Sequence, residues 1–145
     1  MSKIKFGVIG IGHIGKRHAS MIKLNHECEL VAVCDVLDKN HLDMDEIDVP
    51  FYDSAKEMLK EESSIDIVCV CTPNGLHAEH SSLALDYKKH VVVEKPMGLS
   101  KANCEQLIFK ALNVNKQIFC VMQNRYSPPS KSLVTFQACF SPFLK

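Results

Sequence analysis

Short apolar runs alternate with segments of helical period along this chain, the pattern of a parallel sheet covered by helices. The first run, Ile4 to Ile9, gives way to glycines and then to a helix from about Gly12 to Leu24. On that helix Ile14, His18, Met21 and Ile22 keep the i, i+4, i+7, i+8 spacing that predicts a buried stripe. Glu29 to Cys34 is nearly all apolar and reads as a strand buried on both faces. Leu37 to Asp48 is polar and acidic, so it reads as a loose loop or short surface helix before a brief strand near Val49 to Tyr52. Ser54 and Glu57 match a capping box, which predicts a helix ending near Glu62. A fourth strand is expected at Ile65 to Cys71, followed by Thr72-Pro73-Asn74-Gly75 and a helix to about Lys88. Val91 to Val93 gives a fifth strand and Ile118 to Met122 a sixth. Between them Ser100 caps a helix with apolar positions Cys104, Leu107, Ile108, Ala111 and Leu112.

A chain of 145 residues suits one domain, and the pattern puts it at residues 1–126, with residues 127–145 an atypical tail. Ser127-Pro128-Pro129-Ser130 is a stop signal, and Leu133 to Phe140 afterwards reads as a lone apolar strand that could pair with a second copy. Seventeen basic and seventeen acidic residues cancel without a run of either sign, which argues against a nucleic-acid or anionic lipid surface. No stretch approaches the roughly 20 apolar residues that span a bilayer, and the start is too short in apolar residues for a signal peptide. The seven cysteines form no CxxC pair and several lie inside apolar runs, so a reducing, cytoplasmic setting is expected. Cys69 and Cys71 read as core packing.

The chemistry begins at Gly10-Ile11-Gly12-His13-Ile14-Gly15, a GxGxxG pattern with a strand before it and a helix after it. The first glycine permits a tight turn, the second lets backbone approach a pyrophosphate, and the third lets helix and strand pack closely. The free N–H groups and positive dipole end of the helix then face the phosphates. Taken alone, the same glycines could make a merely structural turn. Asp35 ends the second strand twenty residues after Gly15, where the fingerprint expects its acid. A carboxylate there accepts bonds from both adenosine-ribose hydroxyls and repels a 2′-phosphate. Val36 and Leu37 follow rather than arginine or serine, so NAD is favoured over NADP. The plainer reading of Asp35 is a capping or turn aspartate. The fold expected from these features is a Rossmann-type doubly wound parallel sheet of the α/β class.

Two more loops follow strands, Thr72-Pro73-Asn74-Gly75 and Glu94-Lys95-Pro96, and ligands of open α/β sheets bind outside such carboxyl ends. His77 and His80 stand at i, i+3, half of a metal site by spacing, but no carboxylate or cysteine cluster accompanies them and no metal is expected. With His18, Cys71-Thr72-Pro73-Asn74-Gly75-Leu76-His77, Glu94-Lys95-Pro96-Met97 and Gln123-Asn124-Arg125-Tyr126 added to the glycines, the sequence resembles the glucose–fructose oxidoreductase/inositol dehydrogenase (Gfo/Idh/MocA) family over about residues 3–127. Glu94 to Ser100 and Gln123 to Pro128 are especially similar to dehydrogenases acting at C3 of UDP-N-acetylglucosaminuronate.

The resemblance implies NAD-dependent hydride transfer with a sugar or polyol hydroxyl. It implies that Gly10, Gly12, His13, Ile14, Gly15, Asp35, Thr72, Pro73, Asn74, His77, Glu94, Lys95, Gln123 and Arg125 bind the cofactor. Asn74 and His77 would border the nicotinamide end, and Glu94 would bond the nicotinamide ribose. Lys95 would be the catalytic residue beside the reacting carbinol, a role suited to a partly desolvated lysine. A cis Lys95–Pro96 peptide is also implied. The family continues into a second, substrate-binding domain with an Asp-x-x-x-His pair. Lys131 to Lys145 does not resemble that continuation and no histidine follows His90, so a truncated product or altered reading frame, inactive alone, is expected, with a deliberate short form as the alternative. Two other readings compete: a non-catalytic nucleotide-binding module or sensor, and an S-adenosylmethionine methyltransferase, against which the Glu94-Lys95-Pro96 loop argues.

Overall fold

The computed structural model describes residues 2–42, 44 and 47–122. Within them six strands, β1 (Ile4–Ile9), β2 (Cys28–Cys34), β3 (Phe51–Tyr52), β4 (Ile67–Val70), β5 (His90–Val93) and β6 (Ile118–Cys120), form one sheet. The order is β3-β2-β1-β4-β5-β6 and every pair is parallel, which is the doubly wound arrangement expected. Parallel neighbours require crossovers, and helices supply those after β1, β3, β4 and β5: α1 (His13–Leu24), α2 (Ala55–Glu61), α3 (His77–Asp86) and α4 (Lys101–Asn113). Ser54 and Ser100 start α2 and α4 by accepting from the N–H groups of Glu57 and Asn103, as the sequence suggests.

Strand alternation divides the core in two. Met58 and Leu59 of α2, Ala84 and Leu85 of α3, and Leu107 and Ala111 of α4 pack with Val68, Val70, Val91 and Val93. The second cluster joins Ala19 and Ile22 of α1 to Val8, Leu30, Val33 and Cys69. Leu42, Met44 and Ile47 are buried in that cluster too. The polar stretch from Leu37 to Asp48 is therefore more than a surface loop. It contains a 3₁₀ turn, Lys39–His41, and its scattered apolar residues close the core beside β2.

The helix stripes differ in detail from their periodic reading. On α1 the buried set is Gly15, Ala19 and Ile22, while Met21 is 59% exposed. The expected stripe is rotated because Gly15 and Ala19, with Ile22, face the sheet: a Cβ on Gly15 would run into the Gly10 carbonyl. Ile14, His18 and Met21 instead line a cavity of about 720 Å³, with Phe6, Val92 and Val121 opposite. On α4 only Leu107 and Ala111 are buried, and Ile108 and Leu112 are exposed.

The strand ends are in register. Ile9 lies opposite Cys34 on one side and Val70 on the other, and Val70 lies opposite Val93. The residues that follow these four, Gly10, Asp35, Cys71-Thr72 and Glu94, thus leave the sheet along a single edge.

Candidate functional site

The glycine loop sits where strand order reverses, between β1's neighbours β2 and β4. Gly10 adopts φ +90°, a conformation that favours glycine, and an added Cβ there would lie 2.8 Å from the Cys71–Thr72 backbone. Gly12 is different. A Cβ at Gly12 would meet nothing within 4 Å, so the space above it is open to a ligand. Gly12 is the N-cap of α1 and no side chain caps that helix end. Exposed His13 and half-buried Ile14 begin the first turn, whose N–H groups lie beyond the reach of intrahelical acceptors. An uncapped helix start beside an open glycine fits a pyrophosphate.

Asp35 bonds backbone on both sides. Its Oδ2 accepts from the Ile11 N–H at 2.7 Å and its Oδ1 from the Leu37 N–H at 3.0 Å. The second bond makes it a turn aspartate, so that plainer reading is realised. The first ties the glycine loop to the end of β2. Each carboxylate oxygen has a further lone pair, leaving room for hydroxyl donors.

After β4, Thr72 and exposed Pro73 lead into a 3₁₀ turn, Asn74–Leu76, with Asn74 exposed at its start. His77 is 1% exposed. Its Nε2 lies 2.7 Å from the Thr72 carbonyl oxygen and its Nδ1 2.7 Å from that of Pro96. Each ring nitrogen thus faces a carbonyl acceptor. His77 thereby fastens the β4 loop to the β5 loop, and no ring nitrogen is left over for a metal. Thr72 Oγ1 pairs with His80 Nδ1 at 3.1 Å. Burial lowers the His80 imidazole below its ordinary value, opposed by Glu79 and reinforced by His77.

After β5, Glu94 is 7% exposed. Its Oε1 lies 3.0 Å from His18 Nε2, and its Oε2 3.4 Å from the Lys95 N–H. Lys95 itself is exposed, less desolvated than its expected role suggests, and the Lys95–Pro96 peptide is cis as expected. Cys69 and Cys71 pack beneath these loops, and burial raises both thiols, Cys69 to about 12.

The sheet edge thus gathers Gly10 to Gly15, Asp35, Thr72 to Asn74, Glu94 and Lys95. Gln123 and Arg125 lie outside the described residues, as do the boundary at residue 126 and the tail. Helical spacing places His18 in a packing stripe, whereas the structure gives it a side-chain partner, Glu94. The clue to its partner was its place beside the glycines in the family resemblance, since helical spacing says nothing of a contact 76 residues away.

A family model described as "Oxidoreductase family, NAD-binding Rossmann fold" matches residues 4–122. The myo-inositol 2-dehydrogenase of Thermotoga maritima is 29% identical over 133 residues, covering 90% of this chain and 39% of that protein. The D-glucoside 3-dehydrogenase of Escherichia coli is 29% identical over 135 residues, covering 91% of this chain and 38% of its own length. Among solved structures, the WlbA dehydrogenase of Chromobacterium violaceum, in complex with NADH and UDP-GlcNAcA, superposes with a TM-score of 0.86 at 29% identity, covering 97% of this chain and 41% of that one. The chain spans about two fifths of the length of the proteins it matches. No helix among the described residues is long and apolar enough to cross a membrane. With the glycine loop, the acid after β2 and the matched model in agreement, the chain belongs to the Gfo/Idh/MocA oxidoreductase family, as an NAD-binding Rossmann domain.

Proposed function

We propose that this chain provides the cofactor half of an oxidoreductase moving hydride between NAD and a hydroxyl of a sugar or polyol. The observation that carries the reading is the open space over Gly12, in line along one sheet edge with Asp35 and Glu94. NAD, when bound, supplies the hydride acceptor or donor. The chain's own residues bind, orient and move a proton. The backbone of Gly10 to Gly15 and the first turn of α1, including His13 and Ile14, hold the pyrophosphate. Asp35 accepts from the adenosine ribose and Glu94 from the nicotinamide ribose. Thr72, Pro73 and Asn74 border the nicotinamide end, held there by His77; Gln123 and Arg125 join the cofactor-binding set on the family resemblance alone. Lys95, exposed at the edge, orients the reacting hydroxyl and relays its proton.

The substrate class follows the relatives, which are named for inositols and glucosides; the WlbA structure holding UDP-GlcNAcA supports a nucleotide-sugar variant of the same chemistry. A reducing, cytoplasmic setting fits the six free cysteines among the described residues. Association of copies through Leu133 to Phe140 fits the alternation of Val134, Phe136, Ala138 and Phe140. Light scattering tests that association: the full chain should exceed monomer mass and a chain ended at Ser130 should not.

Fixing a substrate against the nicotinamide accounts for about 7–11 kcal/mol of barrier in well-oriented reactions, and acid–base help adds roughly 10²–10⁴-fold. Lys95 offers one proton-handling group and no substrate wall. The 145-residue chain alone should therefore bind NAD without turnover. Joined to the part of the Thermotoga myo-inositol 2-dehydrogenase that this chain does not match, it should form NADH with myo-inositol at a rate abolished by Lys95→Ala. Failure of the chain to bind NAD at all would refute the reading.

A further inference from the structure

We infer that His18 is a positioning residue for the Glu94 carboxylate, linking the helix that receives the pyrophosphate to the group that receives the next ribose. The inference rests on the proposed role of Glu94. His18 lies on α1 and Glu94 just past β5, 76 residues later, yet Nε2 and Oε1 are 3.0 Å apart. Both side chains are largely shielded, 19% and 10% exposed. A carboxylate only accepts, so Nε2–H donates.

The pair solves a problem the backbone leaves open. β5 fixes the Cα of Glu94, but the side chain has three rotatable bonds and opens on a cavity of about 720 Å³ that could take it up in other rotamers. Among the described residues the carboxylate also takes a long 3.4 Å contact from the Lys95 N–H. His18 supplies the short one, and from a rigid element. It stands six positions beyond Gly12, about 9 Å down the helix axis, so the glycine loop and the carboxylate are fixed relative to one another through α1. In a dinucleotide the pyrophosphate and second ribose are directly bonded, and an error in their spacing would be felt as lost affinity. His18 Nε2 occupies one lone pair of Oε1, and the carboxylate keeps acceptor sites for a pair of adjacent hydroxyls.

The test separates ribose positioning from folding by using two ligands. ADP carries the adenosine and pyrophosphate without the second ribose; NAD carries all of it. Affinities of both for the 145-residue chain are measured by titration calorimetry on Glu94→Gln, His18→Ala, His18→Gln and the His18→Ala/Glu94→Gln double variant. Charge-assisted bonds of this kind change affinity by about tenfold or more. Glu94→Gln and His18→Ala should each weaken NAD by roughly that factor and leave ADP within about twofold. The double variant should be no worse than Glu94→Gln alone, because the two residues act as one unit. His18→Gln, which retains a donor, should recover part of the loss.

A selective loss in Glu94→Gln with none in His18→Ala would overturn the positioning role and leave the Glu94 reading intact. Equal losses for NAD and ADP in His18→Ala would mean that His18 only supports the fold, which also overturns it. No selective loss in Glu94→Gln would overturn the Glu94 reading, and the role of His18 with it.

Discussion

At the glycine-loop end of the sheet edge the site is made of backbone, while at the β4–β5 end it is made of side chains holding backbone in place. Gly10 and Gly15 are pressed against neighbouring carbonyls, and Asp35 accepts from the Ile11 N–H at 2.7 Å. The side chain that ties this end together is the aspartate. At the other end His77 bridges the Thr72 and Pro96 carbonyls, Thr72 pairs with His80, and His18 pairs with Glu94. Sterics are all-or-none at atomic contact, whereas hydrogen bonds cost about 1–3 kcal/mol each when one partner is left unsatisfied. The two ends should therefore fail differently when substituted.

The largest effect is expected at Gly15. A Cβ there collides with the Gly10 carbonyl, which is backbone and cannot swing aside. Gly15→Val should cost about 3 kcal/mol or more, enough to leave little folded protein in urea or thermal unfolding. A stability within about 0.5 kcal/mol of the parent would show that the loop is softer than its geometry.

Gly12→Val sharpens the contrast, because its Cβ meets open space. Circular dichroism and melting should stay near normal while NAD affinity falls by about a hundredfold or more, the branched side chain standing where the pyrophosphate approaches. Undiminished affinity would make the loop purely structural.

His77→Ala probes the other end. It removes both contacts of a side chain that is 1% exposed, so a loss of roughly 2–4 kcal/mol is expected in urea unfolding, with only a modest drop in ADP affinity. An unchanged midpoint would mean that the two loops hold themselves.

The smallest effect concerns the thiols beneath both ends. Burial, then the charge of Asp35 and Asp53, raises Cys34 from 9.0 to about 12, and burial followed by Glu94 raises Cys69 likewise. Folding binds these protons more tightly than the unfolded chain does. Their contribution is complete below pH 9 and is lost as pH climbs toward 12. Alkylation at pH 8 should thus spare Cys34 and Cys69 until the protein is unfolded, at both ends alike.

The same contrast explains what could be read from the sequence. Glycines with steric duties have no substitutes, and short apolar runs bounded by turn residues mark strands buried on both faces, so the sheet, the loop and the place of Asp35 are legible in the sequence. The orientation of α1 is not, because packing Gly15 against Gly10 outweighs the helical spacing of Ile14, His18 and Met21. Leu42, Met44 and Ile47 were hidden by the acidic residues around them. The His77 clamp joins positions 19 residues apart, and the His18–Glu94 pair spans 76. Periodicity cannot reach such contacts, since they form only after the strands have set their register.

The central claim is that this edge takes NAD through the glycine loop and Asp35, and cofactor choice tests it most directly. Titration calorimetry of the unmodified 145-residue chain with NAD and with NADP should give tighter binding of NAD by about tenfold or more, because the Asp35 carboxylate stands where a 2′-phosphate would lie. Asp35→Ala should weaken NAD and narrow the gap. Equal dissociation constants for the two cofactors in the unmodified protein would contradict the account.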